Sequence, residues 1–138
     1  MKLVIDTNVL FSFFRKDSTT RRLILNFEIL ELSTPSFCLD ELREHRELVC
    51  EKSALSDQEF EEALNALSIF VRVFPHNEYK EFMRDARDIS PDTDDIDLFA
   101  LALKLGCPIW SEDGRLKDQS KVKVFSTREL IELLHEAK

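Results

Sequence analysis

The chain has 138 residues, of which 43% are hydrophobic and 33% charged, and it carries a formal net charge of −8. This apolar share excludes a disordered tail, and the acidic balance excludes a protein that coats nucleic acid through bulk positive charge. The three cysteines lack the spacing of a zinc site or a disulfide framework, which fits a reducing compartment. We read no secretory leader and no uncharged apolar run of about 18 residues, so we expect a cytoplasmic protein without a membrane segment.

The first half of the chain predicts alternating strands and helices. In chain order these are a strand over Lys2–Asp6, helices over Thr7–Phe14 and Thr19–Phe27, a strand over Leu30–Ser33, and helices over Pro35–Cys50 and from Ser56 onward. Thr34 followed by Pro35 is typical of a helix start, with threonine as the cap. Ser56 and Glu59 have the spacing of a capping box.

The second half continues the alternation. The predicted elements are a strand over Ile69–Phe74, helices over Asn77–Arg87 and Ile96–Leu105, strands over Pro108–Ser111 and Val122–Phe125, and a closing helix over Thr127–His135. The helix over Ile96–Leu105 is apolar almost all round, so it must be covered on more than one side, and Gly106 is placed to end it. Thr127 is the predicted cap of the last helix.

Strands that are apolar throughout and alternate with helices indicate a parallel sheet with helices on both faces. The sequence therefore predicts a single domain over residues 1–138 of the α/β class, a three-layer α/β/α sandwich around a mainly parallel sheet. In such sheets the ligand site lies at the carboxyl ends of the strands, near a switch in strand order.

Acidic residues recur at that edge of the predicted sheet. Asp6 ends the first strand, Asp113 follows the strand over Pro108–Ser111, Glu41 lies in the second turn of the helix after Pro35, and four aspartates stand between 92 and 97. Carboxylates that lie close together resist joint ionisation, and a divalent cation neutralises them. Oxygen ligands alone favour Mg²⁺ or Mn²⁺ over zinc.

Each acid also has a structural interpretation. Asp6 is a favoured residue type for the cap of the following helix, and the aspartates near Ile96 complement a helix dipole. Glu41 taken alone fits an exposed helix position, and Asp113-Gly114 fits an ordinary turn. These interpretations explain each acid singly, but they explain less well why all four segments carry one at the same sheet edge.

The order and spacing of these motifs resemble the PIN-domain nucleases, including the VapC ribonucleases, over nearly the whole length. The segments that carry the resemblance are Val4-Ile5-Asp6-Thr7-Asn8-Val9-Leu10, Asp92-Thr93-Asp94-Asp95-Ile96-Asp97 with the apolar residues that follow, Pro108-Ile109-Trp110-Ser111-Glu112-Asp113, and more loosely the helix with Glu41. The resemblance implies a three-layer α/β/α fold and hydrolysis of RNA phosphodiester bonds that depends on Mg²⁺ or Mn²⁺.

The resemblance also implies roles for individual residues. The catalytic acids would be Asp6, Glu41, Asp95 and Asp113, and the metal ligands Asp6, Asp95 and Asp113, with Asp97 as a fourth. Asp94 and Asp97 compete with Asp95 for the third position, and Asp97 departs from the family pattern, as an extra ligand or a residue facing solvent. Asn8 and Ser111 match polar residues that lie beside the metal in the family.

The resemblance further implies an RNA substrate, a homodimer and, if the chain is a toxin, a small antitoxin with a basic tail. Candidate contacts to flanking phosphates are the basic residues Arg15, Lys16, Arg43, Arg46, Arg115 and Lys117, which equally suit a solvated surface. The cluster of Leu10, Phe11, Phe13 and Phe14 fits either the core or a subunit interface. A stand-alone processing nuclease is the other biological setting.

Three other classes of protein compete with this interpretation. A catalytically silent PIN-like module that binds RNA or a protein would keep the acids without cleavage. A phosphoacceptor receiver domain would need a paired acid after the first strand and a lysine at the last, and neither is clear. A metal-dependent phosphatase would need a second acid two residues beyond Asp6, where Asn8 stands.

Overall fold

The structure is a computed structural model that describes residues 1–15, 18–26 and 29–136. The strands are β1 (Lys2–Ile5), β2 (Glu31–Pro35), β3 (Val71–Phe74), β4 (Ile109–Trp110) and β5 (Val124–Phe125). The helices are α1 (Thr7–Phe13), α2 (Thr19–Leu25), α3 (Ser36–Glu44), α4 (Arg46–Ser53), α5 (Asp57–Phe70), α6 (His76–Tyr79), α7 (Met83–Ile89), α8 (Ile96–Leu105) and α9 (Thr127–Glu136). Short 3₁₀ helices span Lys80–Phe82, Thr93–Asp95 and Gly114–Lys117.

The five strands form one parallel sheet in the order β3-β2-β1-β4-β5. The chain moves outward from β1 to β2 and β3, then returns to the other side of β1 to form β4. The strand order therefore switches between β1 and β4, whose register pairs Val4 with Ile109 and Ile5 with Trp110. A crevice at the carboxyl ends of such a strand pair is where open α/β sheets bind ligands.

Burial of the central strand shows that the sheet is covered on both faces. Leu3, Val4 and Ile5 are consecutive and each is fully buried. Because successive side chains of a strand point to opposite faces, both faces of β1 are covered. The fold is the predicted α/β class with helices packed around a parallel sheet.

Helix α8 has the predicted bounds and lies against β1, β2 and β4. Five consecutive residues from Leu98 to Ala102 are buried, which accounts for its apolar surface all round. Gly106 ends it in the left-handed region with φ of 62°, a conformation that glycine adopts without steric cost. Since α8 precedes β4 and runs back along the sheet, its first residues lie at the carboxyl edge.

The helix predicted to start at Thr34-Pro35 begins later and is broken. Thr34 and Pro35 extend β2 instead, paired with Val73 and Phe74, and the buried Thr34 hydroxyl donates to the Ile5 carbonyl at 2.8 Å. The helical segment then divides at His45 into α3 and α4. Strand pairing therefore overrides the cap signal of the Thr-Pro pair.

Several other predicted boundaries also change. Ile69 and Phe70 belong to α5 and not to β3, and the helix predicted over Asn77–Arg87 is divided into α6, a 3₁₀ turn and α7. Ser126, not Thr127, caps α9, because its hydroxyl accepts from the Glu129 amide and Glu129 accepts from the Ser126 amide. The capping box of Ser56 and Glu59 is confirmed at the start of α5. Phe27, the predicted end of the second helix, lies outside the described residues.

The aromatic cluster near the N-terminus belongs to the core. Leu10 and Phe13 are fully buried and Phe14 nearly so, while Phe11 is half-buried. The ring of Phe14 stacks on Phe60 of α5 with centroids 5.0 Å apart. Of the two interpretations that the sequence left open for these residues, the core is confirmed for Leu10, Phe13 and Phe14, which are buried within this chain. None of the helices in the described ranges is long and apolar enough to cross a membrane.

Candidate active site

Asp6 occupies the centre of the candidate site, at the end of β1. It is 7% exposed, and its Oδ1 accepts a hydrogen bond of 2.7 Å from the Thr7 amide, so it caps α1 as one interpretation of the sequence predicted. Its Oδ2 accepts from the Ser111 hydroxyl at 2.6 Å. Burial raises the pKa of Asp6, and the bonds from Ser111 and Thr7 oppose that rise.

Asn8 and Ser111 join the ends of β1 and β4 around this carboxylate. The Asn8 side-chain amide donates to Asp6 Oδ2 at 3.2 Å and to Ser111 Oγ at 3.3 Å. Asn8 Oδ1 accepts from the Glu112 amide, and Ser111 Oγ accepts from the Asp113 amide at 3.0 Å. The two polar residues singled out in the sequence therefore adjoin Asp6 and orient the turn that carries Asp113.

Glu41 reaches the same place from α3. Its Oε1 accepts a hydrogen bond of 2.7 Å from the Thr7 hydroxyl, across 34 positions of sequence. Burial raises the pKa of Glu41, and the charges of Asp6 and Asp94 raise it further, against the bond from Thr7. The sequence analysis did not assign Thr7 to the site. Its position directly after Asp6 is the signal that could have indicated it.

Asp95 stands at the cap position of α8, where its side chain makes no capping hydrogen bond. Burial raises its pKa to about 7, helped by the charges of Asp6, Asp92, Asp113 and Glu41. The structure thus brings Asp95 into electrostatic contact with the other three predicted acids. Asp94, its competitor in the sequence, is exposed, and its amide is capped by Asp92.

Asp113 is the fourth acid and has a cationic partner, Arg115. It caps the 3₁₀ helix Gly114–Lys117, and the Arg115 guanidinium donates to both of its oxygens at 3.2 and 3.0 Å. These bonds hold the pKa of Asp113 below its usual value. Arg115 also lies 3.9 Å from Asp92, so its charge faces the acidic cluster as well as solvent.

Asp97 bonds to a buried partner outside this cluster. Its Oδ2 accepts a hydrogen bond of 2.6 Å from the Tyr79 hydroxyl, and Tyr79 is fully buried. Sequence reasoning did not single out Tyr79, and no local signal links α6 to α8. A role of Asp97 as an additional metal ligand stays a prediction.

Among the basic residues predicted to hold phosphates, some form salt bridges and others do not. Arg46 pairs with Asp57 and Glu61, Lys117 pairs with Glu129, and Arg115 pairs as described above. Arg15 and Arg43 are exposed and form no salt bridge within the described part of the chain. Lys16 lies outside the described residues.

The chemistry of the acidic cluster fits a hard divalent cation. Asp6, Glu41 and Asp95 offer oxygen donors, share raised pKa values, and form no salt bridge to Lys or Arg within residues 1–15, 18–26 and 29–136. Oxygen donors of this kind suit Mg²⁺ and Mn²⁺. Among the residues described, no three His, Cys, Asp or Glu side chains are already arranged around a common metal position.

A family model described as PIN domain matches residues 4–134, and the chain therefore belongs to the PIN-domain family. Members of this family are nucleases and generally use divalent metals. No curated protein matches the sequence.

Solved structures that share this fold include the following two. One is VapBC2 from Rickettsia felis bound to a DNA fragment from their promoter, with a TM-score of 0.68 and 13% identity, covering 91% of this chain and 98% of that chain. The other is FitAcB from Neisseria gonorrhoeae, with a TM-score of 0.57 and 18% identity, covering 91% of this chain and 96% of that chain. At these identities the likeness shows the fold.

Proposed function

We propose that the protein is a divalent-metal-dependent endoribonuclease and the toxin of a toxin–antitoxin pair. The observation that carries this proposal is the meeting of Asp6, Glu41, Asp95 and Asp113 at the switch point between β1 and β4. Asp6, Glu41 and Asp95, which have no salt bridge to Lys or Arg in the described ranges, destabilise one another until a cation binds. Membership of the PIN-domain family supports the same chemistry.

Asp6, Asp95 and Asp113 would hold the cation, which is Mg²⁺ or Mn²⁺ in this proposal. When bound, such an ion supplies a Lewis acid at a phosphoryl oxygen and lowers the pKa of a coordinated water. Ser111 and Asn8 hold the Asp6 carboxylate in one orientation through their hydrogen bonds to Oδ2. Fixed orientation of a ligand commonly strengthens metal affinity by roughly 10- to 100-fold.

Glu41 would accept the proton of the attacking water. Its raised pKa brings its proton affinity closer to neutral pH, and the bond from the Thr7 hydroxyl fixes one oxygen and leaves the other available. Arg43, two residues further along α3, is exposed and suited to hold a flanking phosphate. Arg15 is a second candidate for that contact.

An antitoxin with a basic tail fits the charge of the chain. The net charge of −8 and the acidic cluster favour a cationic partner segment, and they also make binding of RNA weak without a cation. The likeness to VapBC2, solved with promoter DNA, supports placing this chain in a toxin–antitoxin complex. A homodimer and a cytoplasmic location belong to the same proposal.

The test is cleavage of a mixed single-stranded RNA pool by purified protein with Mn²⁺, with Mg²⁺ and with EDTA. We expect cleavage that requires the metal and is lost in Asp6→Asn. Asp88→Asn is the matched control, because it makes the same acid-to-amide change at an exposed position of α7, a helix that carries none of the four acids. It should cleave as the unmodified protein does.

Cleavage that persists in EDTA or in Asp6→Asn would refute the proposal. A catalytically silent PIN-like module is the alternative outcome, with no cleavage of any pool. Calorimetry then separates the cases: Mn²⁺ binding that is lost in Asp6→Asn indicates a narrow substrate range, and no binding indicates the silent module.

A further inference from the structure

We propose that Tyr79 is a positioning residue of the acidic site: its buried hydroxyl bonds to the first turn of α8, which directly follows Asp95. This inference rests on the proposed metal-dependent nuclease. Tyr79 does not touch the four acids. It would act by fixing the first turn of α8 relative to α6, and with it the backbone at Asp95.

The bond to α8 is the observation that carries this inference. The Tyr79 hydroxyl donates to Asp97 Oδ2 at 2.6 Å, and Tyr79, the last residue of α6, is fully buried. Asp97 lies two residues after Asp95, in the first turn of α8. Because helix geometry fixes residues within one turn relative to each other, holding Asp97 also holds the backbone at Asp95.

The hydroxyl is what distinguishes this residue from ordinary core. A phenylalanine would fill the same volume, and the chain contains 11 phenylalanines and one tyrosine. A buried hydroxyl costs free energy unless it is hydrogen-bonded, and a bond to a carboxylate is stronger than one between neutral groups. Its bond at the first turn of α8, directly after Asp95, gives this hydroxyl a functional use.

The experiment compares Tyr79→Phe, Asp97→Ala, Asp97→Asn and the double variant Tyr79→Phe/Asp97→Ala in the full chain. Calorimetry gives the Mn²⁺ affinity, single-substrate kinetics give kcat and KM on RNA, and hydrogen exchange reports on the amides from Ile96 to Phe99. Val124→Ala, a buried change on the edge strand β5, is the control for a general loss of stability.

We expect Tyr79→Phe to weaken Mn²⁺ binding about tenfold and to lower kcat about tenfold with KM unchanged, the low end of the loss that follows removal of a residue that orients a metal ligand. Exchange of the amides in the first turn of α8 should become faster. Asp97→Ala should have the same effect. The double variant should be no worse than either single variant, because both changes remove the same hydrogen bond. Asp97→Asn keeps an acceptor oxygen and should remain within about threefold of the unmodified protein.

Unchanged Mn²⁺ affinity and unchanged exchange in Tyr79→Phe would overturn the inference, as would losses that Val124→Ala reproduces. A loss in Asp97→Asn as severe as in Asp95→Asn would also overturn it, because Asp97 would then be a metal ligand. Failure of the proposed function has a different signature. In that case Mn²⁺ binding by the unmodified protein is absent or insensitive to Asp6→Asn. Faster hydrogen exchange in the first turn of α8 in Tyr79→Phe would still show that Tyr79 holds this turn in place.

Discussion

Replacing Asp95 by asparagine should stabilise the metal-free protein at neutral pH. Burial and four neighbouring carboxylates raise the pKa of Asp95 to about 7. The folded state therefore binds a proton between about pH 4 and pH 7 that the unfolded state has already released. Under linkage, the free energy of unfolding then falls as the pH rises through that window.

The size of the expected stability gain follows from the difference between the pKa of Asp95 in the folded protein and its ordinary value. A pKa of about 7 against an ordinary value of 3.8 corresponds to about 4 kcal/mol without screening. The side chain is only half-buried, so screening by water reduces the expected gain to about 1–2 kcal/mol. The substitution removes no cap, since the Asp95 side chain makes no capping hydrogen bond. For a chain of this length the gain corresponds to a Tm higher by about 5 °C.

The assay is denaturation in EDTA from pH 4 to pH 8 for the unmodified protein, Asp95→Asn and the exposed control Asp88→Asn. The stability gain of Asp95→Asn should be near zero at pH 4, grow up to about pH 7 and level off above it. Added Mn²⁺ should stabilise the unmodified protein more than the variant. A gain that is absent, or equal at all pH values, would refute the electrostatic account of the site.

The remaining predictions concern the core, a metal-orienting bond and an exposed ion pair. Leu101→Ala removes a fully buried side chain of α8 and should lower the free energy of unfolding by about 2–5 kcal/mol in chemical denaturation, opposite in sign to Asp95→Asn. Ser111→Ala removes the bond of 2.6 Å to Asp6 and should weaken Mn²⁺ binding about tenfold by calorimetry, without loss of the fold. The ion pair with Lys117 lowers the pKa of Glu129 to about 2, so the pair stabilises the fold above about pH 4.5 and this stabilisation is lost as the pH falls towards 2. In Glu129→Gln the free energy of unfolding should lose this pH dependence, a difference of less than about 1 kcal/mol.

Elements with strong local signals were predicted from the sequence nearly as they occur. The bounds of α8 follow from an apolar run that glycine ends, and the start of α5 follows from the spacing of Ser56 and Glu59. The signal at Thr34-Pro35 was local too, but it failed. There the backbone of β2 gains pairing partners along β3, and these bonds outweigh the preference of the dipeptide for a helix start.

The candidate site divides in the same way. Asp6, Asn8, Ser111 and Asp113 were predicted at the carboxyl edge of the sheet, because residues that follow parallel strands meet at one edge. Contacts that join distant helices had no such rule. The bond from Thr7 to Glu41 depends on how α3 packs, and the bond from Tyr79 to Asp97 depends on how α6 packs on α8.

Helix α8 explains how the chain tolerates four mutually repelling acids. Its first residue follows Asp95, where charge destabilises the folded state, and its next turns bury five residues in succession against the sheet. Complete burial of a single leucine or phenylalanine contributes about 1.5–3 kcal/mol, so two such residues outweigh the electrostatic cost expected at Asp95. The same helix therefore anchors the acid in place and offsets the instability that the acid creates, which keeps the carboxylates close together before any cation binds.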